Sequence, residues 1–365
     1  MAELESQFMA RAIQLAKQGQ YTTKPNPRVG CVLVRDGVII AEGWHSRAGR
    51  GHAEVEALKN TEDAIGATAY VTLEPCSHYG RTPPCAEALI KAGVTRVVIA
   101  MQDPNPLVAG RGVAMLEQQG IEVLSGVLEA EAQALNQGFI TRMLTNKPYV
   151  LSKLAMSLDG RTAMASGESK WITSPEARQD VQKLRAASGA IVTGVETILA
   201  DDPSMNVRMP GVQIEQHLRV ILDSSLRTPV TAKLLSLPGR TLILTCSVDA
   251  QKTAMLQQAG AEVYCLKADR QGRLDLEAVL HFLAEQQVND VLIEAGSILN
   301  GALLEQGLID ECIVYMAPSI LGTSGRGLFA MPNVHLMADK KPLQFVSMRK
   351  IGMDLRLQYK VLTTA

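Results

Sequence analysis

Apolar positions fall into two successive series of short runs. The chain opens MAELESQFMARAIQLAKQGQ, where Phe8, Met9, Ile13, Leu15 and Ala16 recur among charges at roughly helical spacing. That spacing predicts a surface helix with acids in its first turn. VGCVLVRDGVIIAEGWH gives two β-branched runs joined at Asp36-Gly37, a hairpin signal. HAEVEALKN then starts a helix, and TAYVTLEPC predicts a strand ending at Pro75. CAEALIKAG predicts a helix closed by Gly93, TRVVIAM a strand, GVAMLEQQG a helix and IEVLSGV a strand. Strands alternating with helices predict a sheet with helices packed on its faces. The polar helical stretch EAEAQALNQGFITRMLTNKP ends at Lys147-Pro148. The domain boundary is expected there, giving units 1–146 and 147–365.

A second α/β series follows. PYVLSKLAMSLDG reads as a strand with a turn, and SPEARQDVQKLRAAS as a helix with Ser174 as N-cap and Pro175 at its first position. GAIVTGVETILADD, LRVILDSS, TLILTC, AEVYCL, DVLIEAG and ECIVYMAP supply further strands, with SILNGALLEQGL as a helix between the last two. The 365 residues fit two cores better than one, and no short repeat is present.

Composition narrows the classes. Hydrophobic content of 47% and charged content of 20% suit a chain folded throughout. Lys and Arg number 36 against 37 Asp and Glu. A sequence-independent nucleic-acid binder carries a basic surplus, so small substrates are expected and nucleic acid is not. The N-terminal run lacks the basic start and unbroken apolar stretch of a secretory signal. No stretch approaches about eighteen uncharged apolar residues, so the expectation is a cytoplasmic protein without membrane contact. Cys31, Cys246, Cys265 and Cys312 lie in or beside apolar runs and read as small packed hydrophobes. Cys76 and Cys85 sit among Pro, Ser, His and Gly, and need another explanation.

That explanation is metal chemistry. Gly51-His52-Ala53-Glu54 is followed, twenty residues after Glu54, by Glu74-Pro75-Cys76 and then by Cys85. Zinc takes neutral imidazole and thiolate, and a catalytic site keeps three protein ligands with a fourth place for water. His52, Cys76 and Cys85 meet that count. Glu54, two residues beyond the ligand His, is placed to carry a proton from the water to a leaving amine without binding metal. H-x-E followed by P-C-x-x-C is the zinc nucleobase-deaminase signature. Here eight residues rather than two separate the thiols. The geometry survives if Cys76 opens a loop after a strand while Cys85 begins a helix, whose N-terminus favours thiolate. Three other readings remain at this point. One is a closed structural zinc site with His45 or His78 as fourth ligand, and another is a zinc-stabilised binding module. The third is a polynucleotide-editing deaminase, which aromatic content of only 4% does not favour.

PNPRVGCV, HAEVEAL, VTLEPCSHYGRTPPC and MQDPNPLVAGRG together resemble the deaminase half of the bifunctional riboflavin-biosynthesis deaminase-reductases. The long CSHYGRTPPC insertion resembles that family too. KLAMSLDGRTA, SGESKWITS, VTGVETILADDPSMNVR and IEAGSILNGALL resemble its reductase half, similar in fold to dihydrofolate reductase. The resemblance covers nearly the whole chain. It implies an α/β protein, an N-terminal cytidine-deaminase-like α/β/α domain followed by a dihydrofolate-reductase-like α/β domain. It also implies Zn2+ and NADP(H) as cofactors, a phosphorylated pyrimidine as small-molecule substrate, and a homodimer. The first half would remove the 2-amino group of a 2,5-diamino-6-(5-phosphoribosylamino)pyrimidinone by hydrolysis. The second would reduce the opened ribosyl of the product to ribityl with NADPH.

By motif position, Asn26, His45, Arg81 and Asn105 are the candidates for holding the deaminase substrate. Amides suit a pyrimidine edge and an arginine a phosphate, though Asn in PNP and DPNP is also good turn chemistry. In the second half no G-x-G-x-x-G follows an early strand, so a Rossmann site is not expected. Gly296, Ser297, Ile298, Leu299, Asn300, Gly301 and Ala302 instead open an apolar helix, whose amides would suit a pyrophosphate. The resemblance adds Ala155, Trp171, Thr197, Asp201 and Ser224 to the cofactor side. It adds Ser169, Arg185, Met205, Arg208 and Glu294 to the substrate side. Arg185 and Arg208 make sense as partners of a sugar phosphate. Lys153 and Glu294 read either as electrostatic helpers for a sugar undergoing reduction or as halves of an ordinary ion pair.

Overall fold

The computed structural model describes residues 2–79, 83–106, 108–211 and 216–362. The chain divides into two compact units, Met1–Lys147 and Pro148–Ala365.

The first unit runs α1 (Ala2–Ala16), β1 (Gly30–Arg35), β2 (Val38–Trp44), α2 (Ala53–Lys59), β3 (Thr68–Val71) and α3 (Cys85–Lys91). It continues with β4 (Arg96–Ile99), α4 (Arg111–Gln118), β5 (Glu122–Ser125), α5 (Glu129–Leu135) and α6 (Gln137–Thr145). The strands form one sheet in the order β2-β1-β3-β4-β5. β1 is antiparallel to β2 and β3, and β3, β4 and β5 are parallel. The turn joining β1 to β2 is Asp36-Gly37 as expected, with φ of 53° and 75°, the doubly left-handed geometry that makes tight hairpins.

Strand periodicity sorts the core. Val32 and Val34 of β1 pack with Phe8, Met9 and Leu15 of α1 and Leu135 of α5. Cys31 and Leu33 pack on the other face with Ala53 and Ala57 of α2, Leu89 of α3 and Leu116 of α4. The result is an α/β/α sandwich. Each fully buried aliphatic side chain in it contributes about 1.5–3 kcal/mol.

The second unit begins with β6 (Tyr149–Ser157), β7 (Arg161–Ala163), α7 (Pro175–Ala187), β8 (Ala190–Gly194), α8 (Val195–Asp201) and β9 (Leu218–Leu222). β10 (Thr241–Thr245), α9 (Ala250–Gln258), β11 (Glu262–Cys265), α10 (Leu276–Glu285), β12 (Asp290–Ile293) and α11 (Ser297–Glu305) come next. β13 (Glu311–Ala317), β14 (Arg326–Gly327), β15 (Leu343–Ile351) and β16 (Asp354–Val361) complete it. Nine strands pair in the order β11-β10-β9-β8-β12-β6-β13-β16-β15. The run from β11 to β13 is parallel, and the β15–β16 hairpin adds on antiparallel. Helices cover both faces: α10 and α11 pack against Val192, Val220 and Leu244, while α8 and α9 pack against Ile191, Ile221 and Ile243.

Several expectations are corrected here. GAIVTGVETILADD is not one strand: β8 stops at Gly194, and VETILAD is α8. Val195 and Ile198, three residues apart, are its buried residues, a helical rather than a two-residue period. The stretch 129–145 is two helices broken at Asn136. Of the four cysteines read as packed hydrophobes, Cys31 and Cys312 are buried, while Cys265, in the outermost strand β11, is exposed.

Candidate active sites

His52 is the residue before α2, Glu54 lies in that helix's first turn, and Cys85 opens α3. Cys76 sits in the loop after β3. The sheet and its two helices thereby bring three separated residues to one point. The donor atoms of His52, Cys76 and Cys85 all lie within 4.8 Å of one another. His52 Nδ1 is 3.1 Å from Cys85 Sγ and 3.6 Å from Cys76 Sγ. The Cys85 backbone N–H donates to Cys76 Sγ at 3.3 Å.

Charge in this cluster favours a cation. A hydrogen bond from the Cys85 thiol, with support from His52, pulls Cys76 down to about 4, while the Cys76 charge and burial push Cys85 up. Two sulfurs competing for one proton beside an imidazole are a donor set suited to zinc, which would satisfy both as thiolates. Neither His45 nor His78 joins the cluster among the described residues. The donors therefore number three, as a catalytic rather than a closed site requires. Glu54 is 3% exposed. Burial, then the Cys76 charge, pushes its carboxyl up to about 7, poised for proton transfer near neutrality.

Around this centre, His45 is buried and its ring stands edge-on to His52 at 5.6 Å. Its Nδ1 contacts the Gly51 carbonyl at 3.0 Å and its Nε2 the Asn26 side-chain nitrogen at 3.1 Å. Nδ1 must therefore donate and Nε2 accept, which fixes one neutral tautomer. Burial also holds His45 below its ordinary value. Asn105 is half-buried, and its N–H donates to Asp103 Oδ1 at 2.8 Å in a local turn. Arg81 lies outside the described residues. Glu74, read in the sequence only as the end of a strand, accepts backbone N–H bonds from Asp103, Gly110, Gly112 and Val113.

In the second unit the candidate residues gather at the carboxyl ends of the parallel strands. β6, β8 and β9 leave in sequence with a gap that β12 later fills between β6 and β8. The direction of winding reverses there, and such reversals open a crevice outside the strand ends. Ala155 is near the end of β6, Ser224 follows β9, and Thr197 and Asp201 lie on α8. Lys170 pairs with Asp201 at 3.0 Å, tying the loop that carries Ser169 and Trp171 to that helix. Trp171 is exposed, with the Arg178 guanidinium 4.4 Å over its ring.

α11 starts at Gly296 without a side-chain cap, leaving first-turn amides open toward an anion. Ile298 is exposed and Leu299 half-buried. Asn300 faces inward: its Nδ2 donates to the Ala295 and Gly296 carbonyls at 2.8 and 3.1 Å, and Oδ1 accepts from Ser152 at 2.6 Å. Gly301 faces the Ala330 backbone so closely that a Cβ would lie 2.2 Å from its carbonyl oxygen. Ser297 accepts the Ala330 N–H at its carbonyl, and Ala302 is half-buried on the helix. Of the seven, Asn300 thus ties the turn from its inner side, and Gly301 lets the Ala330 backbone pack against the helix.

The substrate-side set is linked. Arg185 makes a bidentate pair with Glu294 at 2.6 and 2.8 Å and donates to the Asn206 carbonyl at 3.0 Å. Gln182 receives the Arg208 N–H, leaving the Arg208 side chain exposed. Met205 between them is buried with φ of 45°, a left-handed strain. Burial raises Glu294, but Arg185, Lys153 and Arg208 outweigh it and hold the carboxyl below its usual range. Burial lowers Lys153, against the opposing pull of Glu294. The sequence signals none of Ser152, Gln182 or Asn206, since each acts through a contact far along the chain.

Comparison with known proteins places a known family on each unit. The family model described as "Cytidine and deoxycytidylate deaminase zinc-binding region" matches residues 2–101, and "RibD C-terminal domain" matches 148–357. The riboflavin biosynthesis protein RibD of Escherichia coli (strain K12) is 49% identical over 362 residues, covering 96% of this chain and 97% of that one. RibD of Haemophilus influenzae is 48% identical, covering 98% and 99%. Acinetobacter baumannii RibD matches in structure with a TM-score of 0.93 at 48% identity over all of both chains. The Thermotoga maritima diaminohydroxyphosphoribosylaminopyrimidine deaminase/5-amino-6-(5-phosphoribosylamino)uracil reductase matches at 0.89 and 33%, covering 99% of each. With identity this high over nearly its full length, the chain belongs to the RibD family of riboflavin biosynthesis proteins.

Proposed function

We propose that the chain carries out two consecutive steps of riboflavin biosynthesis. The first unit deaminates the phosphoribosylated diaminopyrimidinone, and the second reduces the ribosyl side chain of the uracil product. The observation that carries the reading is the His52–Cys76–Cys85 cluster with buried Glu54 beside it.

In the first unit, His52, Cys76 and Cys85 would hold zinc, which supplies Lewis acidity that makes water a nucleophile near neutral pH. Glu54 takes the proton from the attacking water and returns it to the departing amine, so that water enters and ammonia leaves. Asn26 and Asn105 supply amide edges for the pyrimidine. His45, fixed as a neutral tautomer, orients Asn26. Arg81 is assigned to the phosphate.

In the second unit the exposed amides of Gly296–Ile298 receive the cofactor pyrophosphate, and Ala155, Trp171, Thr197, Asp201 and Ser224 line its path. NADPH supplies the hydride. Lys153 supports the sugar oxygens as hydride arrives, and Glu294 holds Arg185 in place. Ser169, Met205 and exposed Arg208 complete the sugar-phosphate end. Phosphorylated substrate and reduced nicotinamide are metabolites of the cytoplasm, and the enzyme is assigned there. No helix among the described residues is long and apolar enough to cross a membrane. A homodimer is supported by the apolar exposed edge strand β15.

The test is one purified protein given the diaminopyrimidinone phosphate, with ammonia and NADPH followed together. Both signals are expected, and a chelator should stop ammonia release. NADPH oxidation from the deaminated intermediate should continue. Absence of either turnover would overturn the corresponding half.

A further inference from the structure

Glu74 stands two residues before Cys76 at 5% exposure. No cation pairs with it among the described residues. Instead its Oε2 accepts the N–H of Asp103 at 3.2 Å and of Gly110 at 3.0 Å. Its Oε1 accepts those of Gly112 at 2.8 Å and Val113 at 3.3 Å. The donors come from the loop after β4 and from the start of α4. The Glu74 N–H in turn donates to the Met101 carbonyl at 3.0 Å. Gly112 lies so near the bend that a Cβ would sit 2.0 Å from the Pro75 carbonyl oxygen. Downstream, the Cys76 carbonyl accepts the Ala86 N–H at 3.2 Å.

Four amides on one buried carboxylate replace its hydration shell with fixed dipoles, and charge-assisted bonds of this kind are the strong ones. A carboxylate so held cannot shift without leaving several of these N–H groups unpaired, each a cost to the fold. Its neighbours in sequence are therefore held as well.

We infer that Glu74 is a positioning residue of the deaminase centre: its carboxylate clamps Pro75 and Cys76 against the start of α4. The clamp sets Cys76 Sγ for the metal and orders the loop that carries Asn105. This rests on the deaminase reading above. Glu74 touches neither metal nor substrate, and acts through Cys76 and Asn105.

Glu74→Gln in the full chain is the test. The amide keeps the length but turns an NH2 toward N–H donors, so one side of the clamp is lost. Zinc affinity, read by competition with a chromophoric chelator, is expected to weaken about 10–100-fold. The thiolate-to-metal absorption of the cobalt-substituted protein is expected to shift, and the KM for the diaminopyrimidinone to rise. NADPH oxidation from supplied deaminated intermediate should match wild type. A purely structural role would lower Tm yet leave the zinc affinity and cobalt spectrum of the folded protein unchanged, and that result overturns the inference. If Glu74→Gln accumulates unfolded, Glu74→Asp carries the test. Its carboxylate is one methylene short, a smaller loss of zinc affinity supports the clamp, and unchanged affinity overturns it. Wild-type protein that binds no zinc would overturn the deaminase reading itself, a different outcome.

Discussion

Glu54 and Glu74 are carboxylates buried to a similar depth, and their neighbours give them different tasks. Glu74 is met by four N–H donors, which hold it in place. Glu54 lies beside the Cys76 charge and is pushed up to about 7, chiefly by burial. A carboxyl so raised exchanges protons easily at neutral pH. Glu54→Gln is therefore expected to slow ammonia release about 10²–10⁴-fold. Zinc content and NADPH oxidation from the deaminated intermediate should stay at wild-type values, and persisting ammonia release would exclude the shuttle. In the second unit, burial holds Lys153 below the ordinary lysine value of about 10.4. In the role proposed for it the ammonium is the active form, so raising pH through that lowered value removes the charge. The reductase rate should fall on an alkaline limb that lies below that ordinary lysine value. Lys153→Met should lose the limb and run about 100-fold slower. A wild-type profile flat to that pH would count against the role.

Elements were legible where one face is buried. β1 and β2 announce themselves by β-branched runs around Asp36-Gly37, and α7 by Ser174 and Pro175. Ser174 does cap that helix, accepting the Ala177 N–H at 3.3 Å. The candidate zinc donors were legible because the residue types are specific for metal and each stands at a helix start or loop. What the pattern hides is contact made far along the chain. Nothing in the local sequence pairs Asn300 with Ser152, 148 positions away, or Glu74 with Gly112, 38 positions away. α8 is hidden for another reason: it begins at the residue after β8 ends, so a strand period and a helical period meet with no loop between them. Asn300 provides the test at this scale. Asn300→Ala removes the side-chain bonds to the Ala295 and Gly296 carbonyls and leaves the buried Ser152 hydroxyl without its Asn300 partner. Leaving such groups unpaired should lower the unfolding free energy of the second unit by about 2–4 kcal/mol. Urea denaturation measures that loss, and a raised KM for NADPH should accompany it because the turn before α11 loosens. A variant as stable as wild type would show these bonds to be incidental.

At the scale of the whole molecule, the two activities need separate centres, and each unit has its own sheet, cores and polar cluster. The second unit leaves something unfinished. β15 is the last strand of its sheet, nine residues long, with one side unpaired by any strand among the described residues. It exposes Phe345 and Met348, and nearby Met353 stands out at 72% exposure. Monomeric proteins shorten, charge or cover such an edge, and a long apolar one marks an interface. The sequence pattern misses β15 for the same reason, since Leu343, Phe345, Val346 and Met348 have no single buried face within one chain. A second copy meeting this edge would bury it, and a stable contact needs about 800 Å² from each partner. The full chain is therefore expected to elute from size exclusion with light scattering at twice its 39.4 kDa. Phe345→Lys combined with Met348→Lys places two charges in the contact and should bring the mass to that of one chain. Wild type measured as a monomer, or a charged variant that stays dimeric, would remove β15 as the interface.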